Sequence, residues 1–139
     1  MELNLEYINS LINNKIEENL NLDYKAAASL QRDDKKTAEI SKDVSAFANS
    51  DGGVIIYGLK EDEVNRHLPS TIDPIDRNTI SKEWLEQIIQ GKVRPRIDGI
   101  KITPINVDES NRVIYVVEIP KSNTAHQADD KRYYKRFNF

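Results

Sequence analysis

The stretch VSAFANSDGGVIIYGL, residues 44–59, decides the fold of this 139-residue chain. Its first half completes a helical pattern that begins near residue 35, with apolar side chains recurring every three or four positions. Gly52 and Gly53 then end the helix, because glycine adopts positive φ angles at little steric cost. Residues 54–59 are almost continuously apolar, which is typical of a strand covered on both faces. The stretch therefore predicts a helix, a tight turn and the central strand of a sheet.

The segments on either side have periodicities of their own. Helical spacing covers residues 3–20 and 79–90, strand composition covers residues 20–26, 97–107, 113–119 and 132–137, and residues 60–78 are polar and predict a loop. A turn-rich sequence joins the strands at 97–107 and 113–119, which predicts an antiparallel hairpin. A chain of this length forms one domain. We therefore expect a single α+β domain over residues 1–139, part of a longer protein, with about three helices packed on a mixed β-sheet.

The composition excludes several classes of protein. The chain has no cysteine and only two histidines, so disulfides, thiolate metal sites and cysteine nucleophiles are excluded. No apolar run reaches the roughly 18 residues that a membrane span requires, and we expect a cytoplasmic protein with no membrane partner. The net charge is -3, yet residues 121–139 carry five basic and two acidic residues. This distribution favours a local basic surface over bulk attraction of nucleic acid.

Four blocks of the sequence follow one another in a distinctive order. They are Asp23-Tyr24-Lys25, the run from Val44 to Gly53, the segment Gly58-Leu59-Lys60-Glu61-Asp62 and the closing Tyr133-Tyr134-Lys135-Arg136. Together they resemble the Schlafen AlbA-type domain family of bacterial transcriptional regulators and of the N-terminal core of Schlafen proteins. The resemblance covers about residues 18–137, and the run from Val44 to Gly53 is its most specific part. It implies an α+β domain with a mixed sheet that binds nucleic acid.

The resemblance also implies a site for a divalent metal. Some Schlafen members cleave structured RNA with a cluster of carboxylates, and the corresponding positions here hold Glu18, Asp23 and Glu61, with Asp62 as an alternative to Glu61. Carboxylate oxygens suit Mg²⁺ or Mn²⁺, and such a metal polarises a phosphoryl oxygen and activates water. Glu18, Asp23 and Glu61 are thus the implied catalytic and metal-binding residues.

Cations and aromatic rings alternate near the C-terminus. Phosphate contacts combined with base stacking require such side chains, and on a strand Arg132, Tyr134 and Arg136 would share one face. Two further arginines flank Pro95, where their guanidinium groups can hold adjacent phosphates. The alternatives are an edge strand protected by its charges and a solvated turn. The predicted nucleic-acid-binding residues are Lys25, Arg94, Arg96, Arg132, Tyr134, Lys135 and Arg136.

The turn around the double glycine has two interpretations. Its backbone N–H groups can form a nest for a phosphate, with Asn49, Ser50, Gly52 and Gly53 as the contacting residues. Alternatively, the glycines only end a helix before a buried strand. The turn lacks the Gly-Lys-Ser/Thr sequence of a P-loop, so nothing in the pattern supports NTP hydrolysis.

Three functions are consistent with the sequence. The first is a nucleic-acid-binding module, in particular the DNA-binding part of a transcriptional regulator. The second is an endoribonuclease that cuts structured RNA with Mg²⁺ or Mn²⁺ at the carboxylate cluster. The third is a regulatory module that binds a nucleotide such as ATP or pairs an exposed sheet edge with a second copy as a homodimer. The expected partner is DNA or structured RNA, and no cofactor other than Mg²⁺ or Mn²⁺ is expected.

Overall fold

The computed structural model describes residues 2–137. Over these residues the elements are α1 (Leu5–Asn13), β1 (Leu22–Lys25), a 3₁₀ turn (Ala27–Ser29), α2 (Asp34–Ala48), β2 (Gly53–Tyr57), β3 (Leu59–Glu61), β4 (Pro69–Ile72), β5 (Ile75–Asp76), α3 (Lys82–Lys92), β6 (Lys101–Asn106) and β7 (Arg112–Ile119). The predicted α+β fold, with a mixed sheet and three helices in the described part of the chain, is confirmed.

A five-stranded sheet forms the centre of the fold. β1 and β2 are parallel, whereas β7 pairs antiparallel with β2, β5 and β6. β3 and β4 form a separate antiparallel hairpin. Asp23 of β1 lies opposite Ile55 of β2, and Lys25 lies opposite Tyr57. Because side chains alternate between the faces of a sheet, Asp23 and Lys25 share the face that carries Ile55 and Tyr57.

Apolar layers cover both faces of the sheet. α2 and α3 pack on the face that carries Ile55 and Tyr57. α1 and the β3–β4 hairpin pack on the opposite face, where Tyr24 and Ile56 are buried. This arrangement explains why β2 is apolar along its whole length. It also places alternate side chains of the edge strand β1 beneath α2 and beneath α1.

Each α-helix begins at a side chain that caps it. Asn4, Asp33 and Ser81 each accept a hydrogen bond from the backbone N–H three residues later, at 2.9, 2.8 and 3.1 Å. The apolar spacing predicted a helix up to residue 20, but α1 ends at Asn13. The helix ends there because Lys15 takes a φ of 50°, which is not a helical angle. Among residues 2–137, no helix has the length and apolar character needed to cross a membrane.

Two segments differ from their predicted structure. Residues 60–78, predicted to be a loop, contain β4, β5 and part of β3. The predicted strand over residues 132–137 is wrong, since only an isolated bridge joins Tyr133 to Gln127. The reason is that this tail bonds to side chains: the carbonyl of Tyr134 accepts from the amide of Asn49, and the N–H of Arg136 donates to the hydroxyl of Ser50.

Candidate metal centre

Three carboxylates converge at the outer edge of β1. Glu18 precedes this strand, Asp23 lies within it and Glu61 ends β3. One oxygen atom from each lies within 4.8 Å of the other two. Glu18 and Asp23 are only 5% and 7% exposed, and Glu61 is the least buried of the three. The fold therefore brings together the three residues that the resemblance implied.

Backbone contacts hold Glu18 in this position. Its Oε2 accepts a hydrogen bond of 3.2 Å from the N–H of Tyr24, on the open edge of β1. Its own N–H donates to the carbonyl of His67 at 2.8 Å. The imidazole Nδ1 of His67 lies 3.8 Å from Oε1 of the same carboxyl group. The β3–β4 hairpin and β1 thus fix Glu18 from two sides.

Glu18 cannot ionise freely beside its neighbours. Burial raises the pKa of Glu18 to about 9, and the hydrogen bond and negative charge of Asp23 and a hydrogen bond with Glu61 contribute. Carboxylates this close do not all ionise unless positive charge compensates them. At neutral pH the coupled carboxylates therefore retain a proton. A divalent cation supplies the same compensation, which is the electrostatic condition for a metal site.

Two cations flank Asp23. Nζ of Lys25 lies 3.5 Å from Oδ2 of Asp23, and Nη1 of Arg136 lies 3.7 Å from the same oxygen. Lys25 also lies 3.7 Å from Oδ2 of Asp43. Burial alone would lower the pKa of Lys25, but the negative charges of Asp43 and Asp23 outweigh burial and raise it. Lys25 therefore remains charged next to the cluster.

The donor set fits Mg²⁺ or Mn²⁺. All three side chains offer carboxylate oxygen, the ligand type that these hard cations prefer. Asp62, the alternative third residue, has another role, because its Oδ1 accepts hydrogen bonds of 2.9 Å from the N–H groups of Val64 and Asn65. Glu61 is therefore the third candidate ligand.

Arg136 uses its guanidinium group within the protein. Nε donates to the carbonyl of Leu20 at 3.0 Å, and Nη2 donates to the carbonyl of Asn19 at 2.9 Å. The guanidinium carbon lies 4.1 Å from the centre of the Phe47 ring. The side chain is only 10% exposed. Arg136 thus fixes the tail against the start of β1, and nucleic-acid contact by this residue stays a prediction.

The other predicted contacts of the tail lie at the surface. Arg132 and Lys135 are exposed. The hydroxyl of Tyr134 bonds to the carboxylate of Asp130, and the Tyr134 ring lies 5.2 Å from the ammonium of Lys42. Since the tail is not a strand and Arg136 is buried, Arg132, Tyr134 and Arg136 do not have the shared exposed face that alternation predicted.

Arg94 and Arg96 are exposed in the turn after α3. The backbone of Arg94 exchanges hydrogen bonds of 3.0 and 2.7 Å with Gln127. Nη2 of Arg96 pairs loosely with Asp98 at 3.7 Å. Phosphate binding by these two arginines stays a prediction.

In the predicted phosphate-binding turn, the side chains of Asn49 and Ser50 form hydrogen bonds with the backbone of the C-terminal segment. The side-chain amide of Asn49 donates to the carbonyls of His126 and Tyr134 at 2.9 and 3.0 Å. Its oxygen accepts from the N–H of His126 at 2.8 Å. The hydroxyl of Ser50 accepts from the N–H of Arg136 at 2.8 Å. Both side chains therefore hold the C-terminal segment.

The double glycine allows close backbone packing. A Cβ at Gly52 would lie 2.6 Å from the carbonyl oxygen of Ile119, and a Cβ at Gly53 would lie 2.4 Å from that of Asn21. Their φ angles are +74° and +151°, which side chains disfavour. These contacts favour the interpretation of the glycines as a turn between helix and strand, while phosphate contact stays a prediction.

Sequence reasoning did not single out Asp43, Tyr57 or the contact of His67 with Glu18. The sequence pattern could have revealed Asp43, because this charged residue lies at helical spacing between Ile40 and Phe47 and interrupts an apolar stripe. No sequence pattern indicates a role for Tyr57, since an aromatic residue in a buried strand is ordinary. His67 reaches Glu18 only through the hairpin, which the sequence did not predict.

The fold is a mixed-sheet domain in which three carboxylates gather at the edge of the sheet and offer the oxygen donors that a divalent cation prefers. The family model described as Schlafen, AlbA_2 matches residues 18–138, and the chain belongs to this family. The resemblance seen in the sequence is thus confirmed.

Of two further comparisons, the one with solved structures gives a similar protein, and this similarity concerns the fold alone. A comparison with curated proteins gives no match. Among solved structures, the chain is similar to the DIP2311 protein from Corynebacterium diphtheriae, with a TM-score of 0.57 and 16% identity. The similarity covers 95% of this chain and 28% of that one, so the chain spans about 28% of the length of its structural relative.

Proposed function

We propose that this domain binds nucleic acid in the cytoplasm and cleaves its phosphodiester backbone with a divalent metal held by Glu18, Asp23 and Glu61. The observation that carries the proposal is the convergence of three carboxylate oxygens within 4.8 Å, two of the residues being buried. Lys25 and Arg136 compensate the charge of Asp23 at 3.5 and 3.7 Å. A bound divalent cation would compensate the charge that Glu18 and Glu61 add when they ionise. Structured RNA is the substrate that the resemblance implies.

The bound metal would supply Lewis-acid activation of a phosphoryl oxygen and of water. The protein contributes the positions of the groups around it. Lys25 has a side chain that is 31% exposed and an ammonium 3.5 Å from Asp23, so it is accessible to a substrate phosphate beside the cluster. Arg136, with its donors bonded to backbone carbonyls, keeps Asp23 in place.

The test compares cleavage of a structured RNA and of a DNA duplex in Mg²⁺ and in Mn²⁺. Glu61→Gln removes one ligand at the least buried position, and Glu63→Gln is the control because its side chain is exposed on the same hairpin. We expect Glu61→Gln to lose at least about a hundredfold in cleavage rate, as removal of a key electrostatic group does, and Glu63→Gln to retain it. Equal rates in the wild type and Glu61→Gln would contradict the proposal.

A second candidate function is binding without cleavage, as in the DNA-binding part of a transcriptional regulator. The observation that favours it is a group of exposed cations and rings on the C-terminal segment. They are Lys131, Arg132, Lys135, Tyr133 and Phe137. Phosphates attract such cations, and bases stack on such rings.

The salt dependence of affinity tests this binding surface. Lys135→Ala should weaken binding of single-stranded and duplex probes and reduce the slope of log affinity against log salt by about one. Lys101→Ala, an exposed lysine on β6, is the control. Identical salt slopes for the wild type and Lys135→Ala would remove Lys135 from the interface.

A further inference from the structure

A second polar group of side chains adjoins the carboxylate cluster on the side of α2. It surrounds a cavity of about 160 Å³ between α2 and the edge of the sheet formed by β1 and β2. Lys25 belongs to both places, because its ammonium lies between Asp23 of the cluster and Asp43 of α2. The polar side chains that line the cavity are those of Lys25, Ser29, Lys36, Glu39, Asp43 and Tyr57.

Tyr57 provides the first sign of a ligand. Its side chain is 1% exposed, and among residues 2–137 its hydroxyl has no hydrogen-bond partner. The buried tyrosines Tyr24 and Tyr115 differ, since their hydroxyls donate to the carbonyls of Ile16 and Ile80 at 2.7 and 2.6 Å. A buried hydroxyl without a hydrogen-bond partner destabilises the folded protein. A ligand that accepts a hydrogen bond from Tyr57 removes this destabilisation.

Asp43 provides the second sign. Within the described residues its carboxylate has the ammonium of Lys25 at 3.7 Å, which is too long for a good hydrogen bond. Burial raises the pKa of Asp43 to about 6, as expected for a carboxylate that lacks donors. Asp43 therefore offers carboxylate oxygens to a ligand that carries N–H donors, and the buried hydroxyl of Tyr57 lacks an acceptor. Lys25 already faces Asp23 and Asp43, but its ammonium has three donors and retains capacity for a ligand.

The charges around the cavity define the class of ligand. Two lysines, Lys25 and Lys36, face two acidic residues, Glu39 and Asp43, so the lining favours neither a phosphate nor a metal cation. A neutral planar group with donors and acceptors on neighbouring atoms fits this lining. Among the bases, guanine presents two adjacent donor groups, N1–H and N2–H₂, which match the two oxygens of a carboxylate, and it offers O6 and N7 as acceptors.

We propose that this cavity binds a guanine base of the nucleic-acid substrate, with Asp43 accepting from the base and Tyr57 and Lys25 donating to it. The inference rests on the proposed function, since Lys25 connects the cavity to the carboxylate cluster and places the base beside the phosphate to be cleaved. The domain would then cut next to unpaired guanines.

The test measures the binding of four nucleoside monophosphates by calorimetry in the absence of divalent metal. GMP, IMP, AMP and CMP share the phosphate, so differences among them report on the base, and IMP lacks the N2 amine. We expect GMP to bind about tenfold more tightly than the other three, the loss typical of one base contact. Asp43→Asn and Tyr57→Phe should each weaken GMP binding severalfold to tenfold, while the control Asp98→Asn, with a side chain 90% exposed, should not.

Tyr57→Phe keeps the test decisive, because it removes only a hydroxyl that has no partner and so preserves the fold. Equal affinity for the four nucleotides, absent binding of GMP, or unchanged GMP affinity in both variants would each overturn the inference. GMP preference in a protein that cuts no RNA would remove the proposed cleavage and leave the base site. RNA cleavage without any preference for GMP among the nucleotides would support the proposed cleavage and overturn the guanine site.

Discussion

Replacing Glu18 by glutamine should remove a pH dependence from the stability of the protein. In the folded wild type, burial and Asp23 raise the pKa of Glu18 to about 9, whereas the ordinary value is 4.5. The folded state therefore holds one proton more than the unfolded state between these values. The resulting stability is fully present below the ordinary pKa and is lost as pH rises through the raised one.

The size of the effect follows from this single proton. One proton of difference changes the free energy of unfolding by roughly 1.4 kcal/mol per pH unit. Between about pH 6 and 8 the wild type should therefore lose roughly 3 kcal/mol through Glu18 alone. Glutamine has the same shape and no charge, so Glu18→Gln should lack this slope.

Urea unfolding at several pH values, in the presence of EDTA, measures how the free energy of unfolding of the wild type and of Glu18→Gln depends on pH. The difference between the two free energies at each pH cancels the contributions of other titrating groups. Glu17→Gln is the matched control, because its side chain is adjacent and exposed. A constant difference between the wild type and Glu18→Gln over this pH range would refute the electrostatic account of the cluster.

The remaining predictions concern the contacts that hold the tail and the glycine turn. Arg136→Gln should lose about 2–4 kcal/mol in chemical unfolding through its charged hydrogen bonds and its ring contact, whereas Arg132→Gln should be nearly neutral. Asn49→Ala leaves two carbonyls and one N–H without partners and should cost about 2–3 kcal/mol by the same assay. Gly53→Ala should cost more than about 2 kcal/mol through its backbone clash, while Gly91→Ala, in an open helical position, should gain about 0.5–1 kcal/mol. Equal melting temperatures for Gly53→Ala and Gly91→Ala would contradict the packing role of Gly53.

The central helix, turn and strand could be predicted because their signals are local. Helical spacing before Gly52 and an apolar run after Gly53 specify both elements without knowledge of the rest of the chain. The hairpin of β6 and β7 was predictable for the same reason. The carboxylate cluster was found through family resemblance, since Glu18, Asp23 and Glu61 are brought together only by the fold.

The C-terminal tail could not be predicted, because alternating cations and rings suit both a strand and an irregular segment held by side chains. Its conformation depends on Asn49 and Ser50, which bond to its backbone from the end of α2. The burial of Arg136 depends on the Phe47 ring and on carbonyls before β1. Such contacts between distant segments leave no periodic signal in the sequence.

The identity of the carboxylate cluster as a metal centre is tested most directly by calorimetric titration with Mn²⁺ in two buffers of different ionisation enthalpy. Because the carboxylate cluster holds a proton that a metal must displace, we expect one bound Mn²⁺ to release about one proton at neutral pH. Asp23→Asn should abolish this binding. Absence of Mn²⁺ binding to the wild type, or equal binding by Asp23→Asn, would contradict the account.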